Sequence, residues 1–185
     1  MSLILASGSP RRKELLAMIC PEFSVITSEV DESAITAPTP AETALALATA
    51  KCKAVAKEHP EDVVIGCDTV VDCGGRIFGK PADRNAAVAM LRELSGKGHQ
   101  VHTGVCVCKG DVCRSLVATS TVRFYPIEEA AIQAYVDTPE PYDKAGGYAI
   151  QGTAALFCEG IDGCYYNIMG LPVSRLARLL REFGI

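Results

Sequence analysis

The sequence predicts an α/β fold, in which a mixed β-sheet is flanked by helices, from three observations. Short apolar runs typical of buried strands alternate with segments of helical periodicity along the first half of the chain. Two stretches of alternating polarity, 101–108 and 112–124, surround the turn residues 109–111 and predict an antiparallel hairpin. The chain has 185 residues, 49% of them hydrophobic, and no linker or repeat divides it. We therefore expect one domain over residues 1–185.

The N-terminal part predicts a strand, a tight loop and a helix. Residues 3–6 form a short apolar run, and the helix begins near Pro10, because proline suits the first helical position. Residues 23–28 alternate in polarity and predict a second strand, which ends before an acidic loop at 30–33. The loop that precedes Pro10 therefore joins a strand to a helix.

The next segment predicts a long helix followed by a buried strand. Residues 39–42, Thr-Pro-Ala-Glu, have the form of a capping box, and the helix that they start runs through Val55. Lys51 falls on this helix. Residues 63–67 are apolar and predict a buried strand that leads directly into Asp68, so this carboxylate is expected in the middle of the sheet.

A short hairpin and a third helix follow. Residues 70–78 predict a hairpin that turns at Gly74-Gly75, because tight hairpin turns need residues that tolerate positive φ. Asp83 is expected to cap the next helix, and Gly96 to end it.

The last part of the chain predicts two more helices. Pro126 precedes one that extends to about residue 137, and residues 138–147 predict irregular structure. Pro172 opens the final helix, in which leucines at helical spacing are expected to face the core.

Charge and hydropathy exclude two broad classes of protein. The formal net charge is −4, whereas general nucleic-acid binders usually present a basic face, so no nucleic-acid partner is expected. No stretch approaches the roughly 20 apolar residues of a membrane span, which predicts a soluble protein without a membrane partner. Residues 1–6 lack a basic leader and a long apolar run, and this favours the cytoplasm.

The nine cysteines are expected to be reduced thiols. Cys106 and Cys108 would share one face of a strand as small apolar groups. A zinc site is disfavoured because the chain has no Cys-x-x-Cys and no other paired ligand spacing.

Asp68 is the first candidate for chemistry. An ionised carboxylate inside an apolar run is costly unless it is paired or bound to a metal ion. Such a group suits a divalent cation, general-base activation of water, or both. Glu32, in the acidic loop, is its natural partner. The alternatives are a strand-end aspartate bonded to a neighbouring loop and an ordinary solvated acidic loop.

The loop before the first helix is the second candidate. Backbone amides, the hydroxyls of Ser7 and Ser9, and the guanidinium groups of Arg11 and Arg12 could converge on an anion at a helix N-terminus. An ordinary capped helix with a solvated basic first turn is the alternative. Three lysines add positive charge that a triphosphate would need, although single lysines are usually surface residues. They are Lys51, Lys80 and Lys144.

Taken in order, these motifs resemble the Maf family, also called septum formation inhibitor Maf-like proteins, over nearly the whole chain. The segments that carry the resemblance are residues 5–12, 30–32, 47–51, 65–71, 79–81, 94–96, 142–152 and 167–172. The resemblance implies a nucleoside triphosphate pyrophosphatase, a homodimer, and a fold like that of inosine triphosphate pyrophosphatases, with two lobes around a central cleft.

The resemblance also implies a role for each candidate residue. Asp68 is the proton acceptor, and Glu32 with Asp68 holds Mg²⁺ or Mn²⁺. Arg12, Thr69 and Gln151 match positions that accompany a preference for dTTP and UTP. Substrate binding falls to Ser7, Ser9, Arg11, Arg12, Lys51, Thr69, Lys80 and Gln151. Cys67 departs from the usual residue at its position, and we expect it to serve packing only.

Three other functions remain open from the sequence. The first is a pyrophosphatase for methylated or other modified nucleotides. The second is a regulator of cell division that binds a nucleotide without cleaving it. The third is an α/β scaffold without chemistry. A pure binding module has no need of a carboxylate inside a buried strand beside a second acidic loop, and this favours an enzyme.

Overall fold

The computed structural model describes residues 2–185, in which seven strands form one mixed β-sheet. Met1, the first residue of the predicted domain, lies outside the described residues. The strands are β1 (Leu3–Leu5), β2 (Ser24–Val25), β3 (Val63–Cys73), β4 (Arg76–Phe78), β5 (Gly98–Lys109), β6 (Val112–Phe124) and β7 (Cys158–Asp162). Six of them lie in the order β2-β1-β3-β5-β6-β7, and β4 pairs with β3 beside this path. Strand β1 is parallel to β2 and β3, whereas the remaining pairs are antiparallel.

Helices flank the sheet, as the sequence predicts. They are α1 (Pro10–Ala17), α2 (Pro40–Ala56), α3 (Arg84–Leu94), α4 (Glu129–Val136), α5 (Tyr165–Met169) and α6 (Val173–Leu180). Short 3-10 turns occupy Glu32–Ala34, Glu140–Asp143, Ala145–Gly147, Thr153–Phe157 and Arg181–Phe183. No helix within residues 2–185 is long and apolar enough to cross a membrane.

The predicted helix starts are confirmed. Pro10 is the first residue of α1. The Thr39 hydroxyl accepts a hydrogen bond from the Glu42 amide at 3.2 Å, and the Asp83 carboxylate accepts one from the Ala86 amide at 2.8 Å. Each bond satisfies an amide that has no partner within its own helix, which is why these residues begin helices.

The sheet buries a different set of helices on each face, because neighbouring residues of a strand point to opposite sides. On one face, Leu5, Ile65 and Val107 pack with α1 and α6. On the other face, residues such as Val64 and Cys106 pack with α2. Helices α3 and α4 cover a third cluster, which is built around the far end of β3 and the ends of β5 and β6.

Helix α2 lies unusually close to the sheet, because two glycines face it. A Cβ atom on Gly66 would lie 2.3 Å from the carbonyl oxygen of Ala48, and one on Gly104 would lie 2.4 Å from that of Ala44. Any larger residue would push the helix away. Asp68 is two residues from Gly66 on the same strand, so it also faces α2, and this places Lys51 above it.

Three elements differ from the prediction. The second strand covers only Ser24–Val25, because its partner β1 has just three residues to pair with. Strand β7 was not predicted. It is an edge strand that pairs only with β6 among the described strands, and its glycine and two acidic residues weaken any strand signal. Helix α5 was also not predicted, since its five residues are too few for a helical period.

The prediction that all cysteines are reduced is wrong for one pair. Cys108 and Cys113 form a disulfide, and their Cα atoms are 4.2 Å apart. They lie directly opposite each other in the β5–β6 hairpin. The strand register brings them together, and no count of cysteines or spacing shows that register. The shared buried face of Cys106 and Cys108 on β5 is confirmed, but only Cys106 is a free thiol.

Candidate active site

A cavity of about 960 Å³ opens beside the start of α1 and the middle of β3. Its other side is formed by the part of the molecule that α3 and α4 cover. Its wall includes every residue that the sequence predicts for the site. They are Ser7, Ser9, Arg11, Arg12, Glu32, Lys51, Asp68, Thr69, Lys80 and Gln151. Lys144 also lines it. These residues come from segments spread over most of the chain, and the fold brings them into one site.

Lys51 lies between the two predicted carboxylates. Its Nζ is 2.6 Å from Oδ1 of Asp68 and 2.9 Å from Oε1 of Glu32. The side chains of Lys51 and Asp68 are each 12% exposed, whereas that of Glu32 is 57% exposed. The charged pair is therefore largely screened from water, and Glu32 closes it from the solvent side. This contact supplies the pairing that a carboxylate in a buried strand requires.

The two carboxylates also fit a divalent cation. Both direct an oxygen at one common point, which the Lys51 ammonium occupies, so the site is already arranged around positive charge. Carboxylate oxygens are the ligands that Mg²⁺ and Mn²⁺ prefer. Each carboxylate contacts Lys51 through one oxygen only, and the other oxygen is a further possible ligand. Glu32 and Asp68 are thus suitable residues to hold such an ion.

Arg12 joins three segments of the site. Its guanidinium donates to the carbonyl oxygen of Gly170 at 3.0 Å, to the Ser7 hydroxyl at 3.1 Å and to the Thr69 hydroxyl at 3.1 Å. A guanidinium has five N–H groups, so two remain for a ligand. Arg12 therefore fixes the position of the loop before α1 relative to β3. It can still bind an anion or a base.

Behind Thr69 lies a relay of hydrogen bonds that sequence reasoning missed. The hydroxyls of Thr69 and Thr103 are 2.9 Å apart, and Thr103 donates to the carbonyl oxygen of Asn167 at 3.0 Å. Since Thr103 gives its only proton to Asn167, the Thr69 hydroxyl must donate to Thr103. Thr69 also accepts from Arg12, which leaves its oxygen one lone pair. The only sequence sign of this relay is the alternation that places Thr103 beside Thr69 once the register is known.

The start of α1 is arranged for an anion. The first turn of a helix has backbone amides without intrahelical partners, and the helix dipole is positive there. No acidic residue lies in the first turn of α1, and its N-cap residue Ser9 makes no side-chain capping bond. Arg11 extends toward Asp143, at 3.7 Å, on the opposite side of the cavity. Positive charge therefore lines this wall.

The loop that carries Gln151 is held by Glu140, a residue that the sequence analysis did not single out. The Glu140 carboxylate accepts hydrogen bonds from the Tyr135 hydroxyl at 2.9 Å and from the Thr153 amide at 3.1 Å. Gly152 lies so close that a Cβ atom there would be 2.2 Å from this carboxylate. Before Gln151, the Ala149 amide donates to the Tyr135 hydroxyl at 3.3 Å. The loop is thus held on both sides of Gln151, which is itself exposed and lines the cavity.

Lys80 and Lys144 differ in what they contact. Lys80 is exposed on the rim of the cavity. Lys144 is mostly buried, donates to the Glu140 carbonyl oxygen at 2.9 Å and forms an ion pair with Asp143. Lys144 therefore helps to build the turn, whereas Lys80 is available to a ligand.

Cys67 precedes Asp68 but points to the opposite face of the sheet. It is fully buried in the cluster with α1 and α6. Burial raises the pKa of its thiol to about 12, so the thiol stays protonated near neutral pH. This agrees with a packing role.

Comparison with known proteins identifies relatives over almost the full length. The model of the family described as Maf-like protein matches residues 2–183. A dTTP/UTP pyrophosphatase of Symbiobacterium thermophilum is 50% identical over 184 residues, covering 98% of this chain and 94% of that protein. One of Carboxydothermus hydrogenoformans is 47% identical over 186 residues and covers 100% of both chains.

Among solved structures, two Ham1 proteins share the fold. That of Staphylococcus aureus has a TM-score of 0.55 at 16% identity and covers 99% of this chain and 100% of its own. That of Coxiella burnetii has a TM-score of 0.55 at 15% identity and covers 98% of this chain and 99% of its own. At such low identity the likeness concerns the fold alone, and it confirms the predicted fold class.

Proposed function

This chain belongs to the Maf family, and on that premise we propose that it hydrolyses dTTP and UTP to the nucleoside monophosphate and pyrophosphate. The observation that carries the proposal is the cluster of Asp68, Lys51 and Glu32 in the same cavity as the basic start of α1. The relatives of matching length are named dTTP/UTP pyrophosphatases, which supports both the reaction and the substrates.

The loop before α1 binds the phosphates. Its amides and the hydroxyls of Ser7 and Ser9 supply hydrogen-bond donors, and Arg11 and Arg12 supply charge-assisted ones. Lys80 on the rim adds a further cation. Together these groups offset the negative charge of a triphosphate and orient it in the cavity.

Asp68 accepts the proton of the attacking water. The water oxygen forms a bond with the α-phosphorus, the bond from that phosphorus to the bridging oxygen breaks, and pyrophosphate leaves with the electron pair. Lys51, at 2.6 Å, holds the Asp68 carboxylate in place and offsets its charge. A general base must lie within hydrogen-bond reach of the proton that it takes, and Asp68 faces the cavity where the substrate lies.

Glu32 and Asp68 would hold a divalent cation, Mg²⁺ or Mn²⁺. When bound, such an ion supplies positive charge to the phosphate oxygens and to the leaving pyrophosphate. Lys51 reaches both carboxylates and keeps them together.

The fixed hydroxyl of Thr69 suits uracil and thymine. Because its proton goes to Thr103 and one lone pair goes to Arg12, the free lone pair of Thr69 can only accept a hydrogen bond. Uracil and thymine carry a proton on N3, whereas cytosine has a bare acceptor there. The Gln151 amide both donates and accepts, and it complements the other groups on the base edge. A mismatched base would leave a polar group of the site unpaired, which gives strong discrimination.

The test is pyrophosphate release from a panel of canonical and modified nucleoside triphosphates, with Mg²⁺, with Mn²⁺ and with a chelator. Release that depends on the metal ion and is fastest with dTTP and UTP supports the proposal. Fastest release from a methylated or otherwise modified nucleotide would keep the reaction and contradict the substrates. Binding without any release would instead favour the nucleotide-binding regulator of cell division.

The Asp68→Asn variant tests the role of Asp68 in the mechanism. The amide keeps the shape of the side chain and removes the base, so we expect a folded protein whose turnover falls by at least about 10²-fold. Near-normal turnover would remove Asp68 from the proton transfer. The homodimer, the single domain over residues 1–185 and the cytoplasmic location stay predictions from the sequence.

A further inference from the structure

Three cysteine sulfur atoms meet behind the active site, between α2 and the sheet. Cys52 comes from α2, and Cys106 and Cys108 come from the face of β5 that packs against it. All three are fully buried, with at most 1% of their surface exposed. Their sulfur atoms lie within 4.8 Å of one another, and those of Cys106 and Cys108 are 3.6 Å apart.

This spacing is that of a thiolate metal site. Zinc binds thiolate sulfur at about 2.3 Å in a tetrahedron, which places neighbouring sulfurs about 3.8 Å apart. The observed sulfur positions need only small side-chain movements to reach that arrangement. Two ligands on one strand and a third on a helix that packs tightly against it are also rigidly held, which favours a defined site. The sequence alone disfavours zinc because it has no paired ligand spacing, and it gives no sign that Cys52, 54 positions before Cys106, joins the cluster.

One of these three sulfur atoms belongs to a disulfide. Cys108 is bonded to Cys113, and a sulfur in a disulfide is a poor metal ligand. A dithiol reductant reduces this disulfide by exchange, gives up its two hydrogens to the cysteines and becomes a disulfide itself. A phosphine reductant does the same with one water molecule, which supplies the oxygen of the resulting phosphine oxide and the protons of the two thiols. Reduction frees Cys108 as the third ligand, and Cys113, which lies opposite Cys108 in the hairpin, is the nearest candidate for a fourth.

The cluster lies close to the protein surface on one side. A surface depression of about 470 Å³ reaches Cys108 and Cys113, and this gives an ion a route from solvent.

We propose that the reduced protein binds one thiophilic divalent cation, of the class of Zn²⁺, through Cys52, Cys106, Cys108 and Cys113, and that the disulfide blocks this binding. The cation replaces one proton for each thiol that it binds, so four protons leave. The site is separate from the carboxylates of the active site, which are oxygen ligands suited to a harder ion.

The experiment uses Co²⁺ as the probe, because thiolate ligands give a charge-transfer band that carboxylate ligands do not. The whole chain, reduced with a phosphine, is expected to show this band up to one equivalent of Co²⁺, and the oxidised chain is expected to show none. Cys52→Ala and Cys106→Ala should abolish the band. Cys164→Ala is the control, because this half-buried cysteine lies outside the cluster, and it should keep the band.

A second measurement needs no variant and covers the case in which the alanine proteins do not fold. The reduced wild-type chain is treated with an alkylating agent with and without one equivalent of Zn²⁺. Protection confined to Cys52, Cys106, Cys108 and Cys113 supports the site, as does native mass spectrometry that shows one zinc in exchange for four protons. Absence of the cobalt band in the reduced wild type, or equal alkylation of these four cysteines with and without Zn²⁺, would overturn the proposal.

Discussion

Gly66→Ala tests the idea that the close approach of α2 sets the geometry of the catalytic pair. The added Cβ atom would lie 2.3 Å from the Ala48 carbonyl oxygen and 2.6 Å from the backbone nitrogen of Cys52. Both are backbone atoms of α2, so neither can move aside unless the helix moves. The helix must therefore move outward, and Lys51, next to Cys52, moves with it.

The structure gives the size of the effect. The distance of 2.3 Å is about 1 Å short of ordinary van der Waals contact, so α2 must shift by about that amount. Overpacking of this kind costs about 1–3 kcal/mol of folding free energy. Lys51 is 2.6 Å from Asp68, and a shift of about 1 Å takes it out of hydrogen-bond range. A misplacement of about 1 Å in an active site can lower turnover by about 10²-fold.

The assay combines urea denaturation with pyrophosphate release from dTTP. Gly98→Ala is the matched control, because Gly98 also lies in a strand and its added Cβ would meet nothing closer than 3.7 Å. The control should keep stability within about 0.5 kcal/mol of wild type and keep its turnover. A Gly66→Ala protein with the stability and turnover of the control would refute the argument that helix contact positions Lys51.

Three further predictions concern specificity and pH. Gln151→Ala should reduce discrimination between bases more than it reduces turnover of the best substrate, and an unchanged ranking of nucleotides would contradict its role. Thr103→Val leaves the proton of Thr69 free to be donated to a base. We therefore expect the ratio of kcat/KM for CTP to that for UTP to rise by about 10-fold. A constant ratio in a folded variant would show that the relay does not set the preference. Burial lowers the pKa of His99 to about 4, below its unfolded value of about 6.5. The folded state then binds fewer protons than the unfolded state in this interval, so the free energy of unfolding should fall from pH 6.5 downward, by about 3 kcal/mol at pH 4. For His99→Gln, the free energy of unfolding measured by denaturation should fall less between pH 6.5 and pH 4 than it does for wild type. An equal fall would assign the pH dependence to other groups.

The sequence by itself determined the local structure and the kind of chemistry. Helix starts at Pro10 and Thr39 depend on hydrogen bonds and backbone angles within a few residues, so they are visible in the sequence. The carboxylate of Asp68 is informative for a similar reason. The free-energy cost of burying it follows from the apolar residues on either side of it in the sequence. These local signals also appear in the order that characterises the Maf family, and the family model confirms that order over residues 2–183.

Only the tertiary structure decided which distant groups meet. The position of Lys51 between Glu32 and Asp68 depends on how closely α2 lies on the sheet. The relay from Thr69 through Thr103 depends on the register of β3 and β5, and the disulfide depends on the register of β5 and β6. Contacts of this kind join segments far apart in the chain, and their geometry follows from strand order, register and helix packing together. No local pattern in the sequence carries that information.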